Sequence, residues 1–259
     1  MNKILLKMDE FEISWDDLQK LPEDHVAAFS VLSYAVSEVN ALAAIYIGQS
    51  HKKVDLKHID SALNISRFMV LRSWSSKFFE ARQFIGGLCG NKPDTRDAIL
   101  QGLAVDAIAS FDSLSARNGY HVAGNIRNEA ASHYSFSAAK KNLSHLNKNG
   151  DFNFYVHEHG GNCFYPIGEE VMFQGRLNRR WSNIPSKQER DELLLEWLDW
   201  NLEAQDWLND IHATFARELI FNGLGRQDFK PRADWLESAL VGNLAENLQP
   251  RFTRKVPAQ

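Results

Sequence analysis

Little in this chain interrupts a helix: its 259 residues include only 7 Pro and 15 Gly, few breakers for a protein built of short strands and turns. Cysteine is nearly absent. Cys89 and Cys163 can form neither a disulfide framework nor a Cys-rich zinc site, and two reduced thiols are expected. No charge sign dominates. The 33 acidic residues against 29 basic ones, net -4, exclude a strongly basic nucleic-acid-coating protein. They leave room for a local basic site. The longest apolar stretch, residues 26–47, is broken by Ser30, Ser33, Ser37, Glu38 and Asn40, so no membrane span is expected. The first ten residues lack the apolar region of a signal peptide. A soluble, cytoplasmic protein is therefore expected. There is no P-loop, dinucleotide-binding glycine motif, Gly-x-Ser-x-Gly or His-Glu-x-x-His, and no cofactor is expected. The small net charge, with 7 Trp, 6 Tyr and 16 Phe, excludes disorder as the main state.

What is present reads as helix. Pro22 suits a first helical position, with Glu23 and Asp24 against the dipole, and the segment to Gly48 is apolar almost all round. Such a helix is expected to be buried on several sides or against a partner subunit. A second helix, 58–85, carries the stripe Leu63, Val70, Trp74, Phe78, Ala81 and Ile85, with Gly86-Gly87 expected to end it. Thr95 is the expected N-cap of a third helix, striped by Leu100, Ala104, Ala107, Ile108, Phe111 and Leu114. Helices over 120–134 and 136–146 follow, up to the breaker Asn147-Lys-Asn-Gly-Asp.

The period then changes. Two aromatic-rich segments, 152–157 and 162–167, flank Glu158-His-Gly-Gly, predicting a β-hairpin insert around 152–174 with a further strand at Val171-Met-Phe-Gln. Ser186-Lys-Gln-Glu189 is a capping box opening a long helix to about Phe221. Trp197 and Trp207 lie on its apolar stripe, with Trp200 read as off it. From Lys187 to Glu218 it carries nine acidic and three basic residues, a face that repels RNA. A short helix, 233–248, is expected in the tail. The fold class is mainly α, a helical bundle with a small β insert. It is read as one domain over 1–259: a helical core at 22–147, the hairpin at 151–176, the acidic helix at 186–223 and a tail from 227.

The most informative stretch is Gly124-Asn-Ile-Arg127-Asn128-Glu129-Ala-Ala-Ser-His133-Tyr134. An Arg is followed at once by a polar residue and, six positions on, by a His. This resembles the R-(polar)-x3-5-H signature of the HEPN superfamily (higher eukaryote and prokaryote nucleotide-binding domains), over about residues 22–147. The resemblance implies an up-and-down helical core. It also implies a metal-independent endoribonuclease working at a homodimer interface, in phage defence or a toxin–antitoxin system, with RNA and an antitoxin or defence protein as partners. Arg127, Asn128 and His133 would be catalytic, with Glu129 and Tyr134 supporting. Tyr134 follows His133 immediately, whereas toxin members often carry a Tyr two positions on. A non-catalytic HEPN-like module for dimerisation and partner or nucleotide binding is the alternative. An unrelated helical protein with a structural Arg127–His133 pair is a third.

The residue types suit that chemistry. Metal-free RNA cleavage needs a base for the 2′-OH, an acid for the leaving oxygen and a cation for the pentavalent phosphate. Histidine serves the proton transfers and arginine the charge, while Asn128 can bond phosphate or orient the imidazole. Six residues turn a helix by about 600°, so Arg127 and His133 point about 120° apart and one protomer gives a sparse site. Two copies about a two-fold axis complete it. Gly124 and Ala131 share Arg127's stripe and would let a second helix approach; Glu129, one turn before His133, could fix its tautomer.

For RNA backbone contacts, Lys140 and Lys141 follow the motif closely, beside His145 and Lys148, and Arg72 and Arg82 stand on the second helix. The alternative for each is a solvated face or a pair with a carboxylate such as Glu80 or Asp94. His157, His159 and Cys163 are zinc-ligand types in a spacing that fits no common zinc module, and a hairpin tip would contain such residues anyway, so no metal is expected.

Overall fold

The computed structural model of the chain describes residues 6–49, 56–126, 136–157, 162–180, 187–226 and 232–236. These are mainly helical. In order they form β1 (Leu6–Glu10), α1 (Trp15–Leu18), α2 (Glu23–Gly48), α3 (Lys57–Cys89), α4 (Ala98–Ser115), α5 (Asn118–Ile126), α6 (Phe136–Leu143), α7 (Pro166–Glu169), α8 (Gly175–Arg180), α9 (Lys187–Phe215) and β2 (Arg232–Leu236). A π-helical turn, Glu170–Gln174, joins α7 to α8, and another, Ala216–Phe221, extends α9. The chain divides into two compact units: one of residues 1–43, 77–117 and 200–247, the other of 44–76, 118–199 and 248–259.

The first unit is built on buried aromatics. Trp200 and Trp207 are seven residues apart, which on an ideal helix brings them within about 20° of one azimuth. Phe78 meets Trp200 edge-on at 5.8 Å, and Phe111 meets Trp207 at 4.8 Å. Each indole keeps its N–H satisfied, Trp200 donating to the Leu114 carbonyl at 3.1 Å and Trp207 to the Ser110 hydroxyl at 3.0 Å. Trp200, read from sequence as off the stripe, is therefore core, 1% exposed. Burying such rings accounts for much of a helical core's stability.

Local capping chemistry fixes the helix starts in this unit. Asp97 is the N-cap of α4, accepting the Leu100 N–H at 2.9 Å. Thr95, the expected cap, instead accepts the Asp97 N–H at 3.0 Å and donates its hydroxyl to Asp24. His25, 6% exposed, meets Asp97 at 3.1 Å. Ser14 and Asp17 form a capping box on α1, and Arg226 donates to Asp17 at 2.8 Å. After the π turn, Gly225 takes a φ of +65°, which glycine accepts without steric cost.

Several sequence expectations are corrected. α3 runs through Gly86-Gly87 to Cys89, because Ile85 and Leu88 are buried and packing holds the glycines in the helix. Val171–Gln174 is not a strand but the π turn. Its Phe173 is 2% exposed between Phe68 and Trp197, so tertiary packing overrides a β-prone composition. The hairpin reduces, among the described residues, to one antiparallel bridge between Tyr155 and Phe164, whose rings stack at 4.7 Å. Residues 232–236 are strand rather than the start of a tail helix, since Leu6–Glu10 pairs with them antiparallel, Leu6 opposite Leu236. The remainder of that expected helix lies outside the described residues, as does Ser186 of the capping box. Within the single chain α2 buries part of its apolar surface. Leu32 and Val39 are fully buried, whereas Val31 and Tyr34 are 46% and 68% exposed. By length and composition α2 could cross a bilayer, the one such helix among the described residues.

The second unit has its own core. Trp74 and Trp197 are fully buried, and Trp197 donates to the Ser75 hydroxyl at 2.8 Å. Arg72 lies over the Phe173 ring, 4.7 Å from its centroid. The Asn142 side chain, 1% exposed, donates to the Val171 carbonyl at 2.9 Å, binding α6 to the π turn.

Candidate functional site

The motif stretch follows α5 directly. Arg127, Asn128, Glu129, His133 and Tyr134 lie outside the described residues; their flanks lie within them. The buried Arg176 of α8 donates to the carbonyl of Asn125, two residues before Arg127. This bond ties the end of α5 to α8 by a charge-assisted contact. On the other side, α6 exposes Lys140 and Lys141, the Lys140 ammonium lying 4.8 Å from the Phe136 ring centroid. Both lysines sit in the last turn, where cations offset the helix dipole. From 118 to 150 the chain carries Arg127, Lys140, Lys141 and Lys148 against Glu129 alone, a basic segment in a net acidic protein.

Arg72 and Arg82, the other expected RNA-contacting residues, each make contacts within the chain. Arg72 forks onto Glu169 through both terminal nitrogens, at 2.6 and 3.2 Å. Arg82, in the first unit, stands over the Phe111 ring at 5.2 Å, and its buried Nε has no hydrogen-bond partner among the described residues. Lys77 pairs with Glu38 at 3.0 Å and with Glu80 at 3.1 Å. The Cys163 thiol and His157 bond each other through the His157 backbone, both at 3.2 Å. His159 lies outside the described residues.

One cavity of about 400 Å³ opens in the second unit, within the size range of small-molecule sites. Three groups of side chains build it. Ser61, Asn64 and Phe68 come from α3, Glu169, Glu170 and Gln174 from α7 and its π turn, and Asp191 and Leu194 from α9. The loop 147–151, read from sequence only as a breaker, closes one side.

The cleft's four carboxylates have different states. Asp151 is saturated. It accepts the Ser61 hydroxyl at 2.5 Å, the Asn153 amide at 2.8 Å and the Tyr155 phenol at 3.1 Å, with Lys57 at 3.5 Å. Burial works to raise its pKa, yet these donors and Lys57 hold it below the ordinary carboxylate value. Glu169 goes the other way: burial pushes its carboxyl up, and the Arg72 guanidinium only partly opposes this. Glu170 accepts the Asp151 N–H at 3.2 Å. Gly150 leaves room for this carboxylate, since a Cβ there would lie 2.8 Å from the Glu170 Oε2 and the side chain would have to shift. Asp191 is exposed and has no partner among the described residues.

No cluster of three His, Cys, Asp or Glu side chains suited to a metal occurs among the described residues. No family model, curated protein or solved structure matches the chain. The cleft went unseen in sequence because its residues come from segments far apart in the chain; the adjacent Glu169-Glu170 and the Asn-rich 147–153 run were its only local signals.

Proposed function

We propose that this chain is a metal-independent endoribonuclease of HEPN type, active as a homodimer in a defence or toxin role. Arg127 would hold the phosphate charge, His133 would move the proton, and Asn128 would position them. What supports the reading is the Arg127-Asn128-x4-His133 spacing, set between a helix end bonded by Arg176 and a helix that exposes Lys140 and Lys141. The two lysines would meet the RNA backbone on either side of the scissile phosphate. The acidic cleft near Asp191 would repel RNA, which leaves the stretch from Arg127 to Lys141 as the binding face.

The test is cleavage of RNA by purified protein in EDTA. The expected products carry 2′,3′-cyclic phosphate ends, and His133→Ala is expected to lower the rate by about 10²–10⁴-fold with an unchanged melting temperature. Cleavage that persists in His133→Ala overturns the mechanism. A second reading, a non-catalytic HEPN-like binding module, rests on the cleft side chains that have no partner among the described residues, Asn64 and Gln174. It expects no cleavage and a dimer that survives Arg127→Ala.

A further inference from the structure

We propose that the cleft of the second unit binds an aliphatic diamine or polyamine, with Glu170 and Asp191 each receiving one ammonium group. The inference uses none of the motif residues, and its test does not depend on RNA cleavage.

The charge inventory selects the ligand's sign. Among the described residues, four carboxylates line the cavity, against one lysine. Two of the four are already engaged, Glu169 by Arg72 and Asp151 by its hydroxyl, amide and ammonium donors. Glu170 receives a single backbone N–H, and Asp191 receives nothing from the described residues. Two negative charges therefore face the cavity with no cationic partner among the described residues. A phosphate or carboxylate ligand would be repelled, and a cation attracted.

Shape selects the kind of cation. A bare divalent ion needs several oxygens converging within about 2.0–2.6 Å, and no group of three His, Cys, Asp or Glu side chains suited to one occurs among the described residues. The two anions stand on different elements, Glu170 on the π turn and Asp191 on α9, and the cavity between these walls is lined in part by Ile65, Phe68, Leu177 and Leu194. Separated charges joined by an apolar surface match ammonium groups separated by methylenes. The chain between the ends contributes burial of CH₂ groups on these side chains. The side chains of Asn64 and Gln174, which have no partners among the described residues, offer amide oxygens to further ammonium or secondary amine hydrogens. A single ammonium would use only half of the site.

The experiment is calorimetric titration of the full-length protein with putrescine and spermidine, at fixed ionic strength, with butylamine and magnesium chloride as comparators. One saturable site is expected, with putrescine and spermidine at least about tenfold tighter than butylamine. Asp191→Asn is expected to weaken spermidine by about fivefold or more without altering the helical signal, because the residue is exposed. Glu170→Gln is expected to do the same, and it keeps an acceptor for the Asp151 N–H. Absence of a saturable site overturns the proposal. So does equal affinity for butylamine and putrescine, competition by magnesium at matched ionic strength, or unchanged spermidine affinity in both folded variants.

Discussion

Arg72 and Glu169 form a two-pronged ion pair at 2.6 and 3.2 Å, 97 residues apart in sequence, with the guanidinium lying over Phe173. Both side chains are about 15% exposed. The pair fastens the α7 region onto α3. Breaking a buried pair from one side leaves an uncompensated charge, whereas replacing both partners by apolar groups does not. Arg72→Ala is therefore expected to lower unfolding stability by roughly 3–5 kcal/mol in urea denaturation, with Arg72→Met/Glu169→Leu recovering much of that loss. An Arg72→Ala protein as stable as the parent would remove this structural role.

Asp97 sets a pH dependence for the first unit. Its pKa is held below the ordinary carboxylate value, first by the Leu100 N–H and then by His25, against the opposing effect of burial. A carboxylate depressed in the folded state binds fewer protons there than when unfolded. Its contribution is complete above the ordinary value near 3.8 and is lost as pH falls through the lower folded value. Asp97→Ala, which removes the α4 N-cap, is expected to cost about 1 kcal/mol at neutral pH. Unfolding curves of the parent and variant are expected to converge as the solution is acidified below the ordinary value. A gap that stays constant down to strong acid would contradict this account.

Gly150→Ala probes the loop that seats Glu170. The new methyl would stand 2.8 Å from the Glu170 carboxylate and 3.1 Å from the Asn147 carbonyl, so one of them must shift. A loss of roughly 1–3 kcal/mol is expected, together with weaker spermidine binding measured by titration. Unchanged values for both would show that the loop yields freely.

Lys140 and Lys141 are tested through salt. Each phosphate contact to single-stranded RNA contributes about 0.7 to the slope of log affinity against log salt. Lys140→Ala/Lys141→Ala is expected to flatten that slope by about 1.4 without changing the melting temperature. An unchanged slope would exclude them from the RNA-binding face.

Much of the helical framework was legible beforehand. The α3 stripe from Leu63 to Ile85 and the α4 stripe from Leu100 to Leu114 are buried almost as read, because one periodic apolar face has one way to avoid water. The misread elements share a cause. Phe173 and β2 owe their conformations to Phe68, Trp197 and Leu6–Glu10, none of them within the local window from which a helix or strand is judged. Of the site residues, Lys140 and Lys141 were legible as exposed cations beside the motif, while Arg72 was not legible as Glu169's partner.

The sequence by itself determined the helical class, the buried stripes and the Arg127–His133 spacing, since each depends on residues within a few turns of one another. Only the tertiary structure decided that Asp97 rather than Thr95 caps α4, that residues 170–174 coil into a π turn, and that Glu170 and Asp191 line one cavity. Those outcomes depend on contacts between distant segments, and distance in space is the quantity that a linear pattern does not encode.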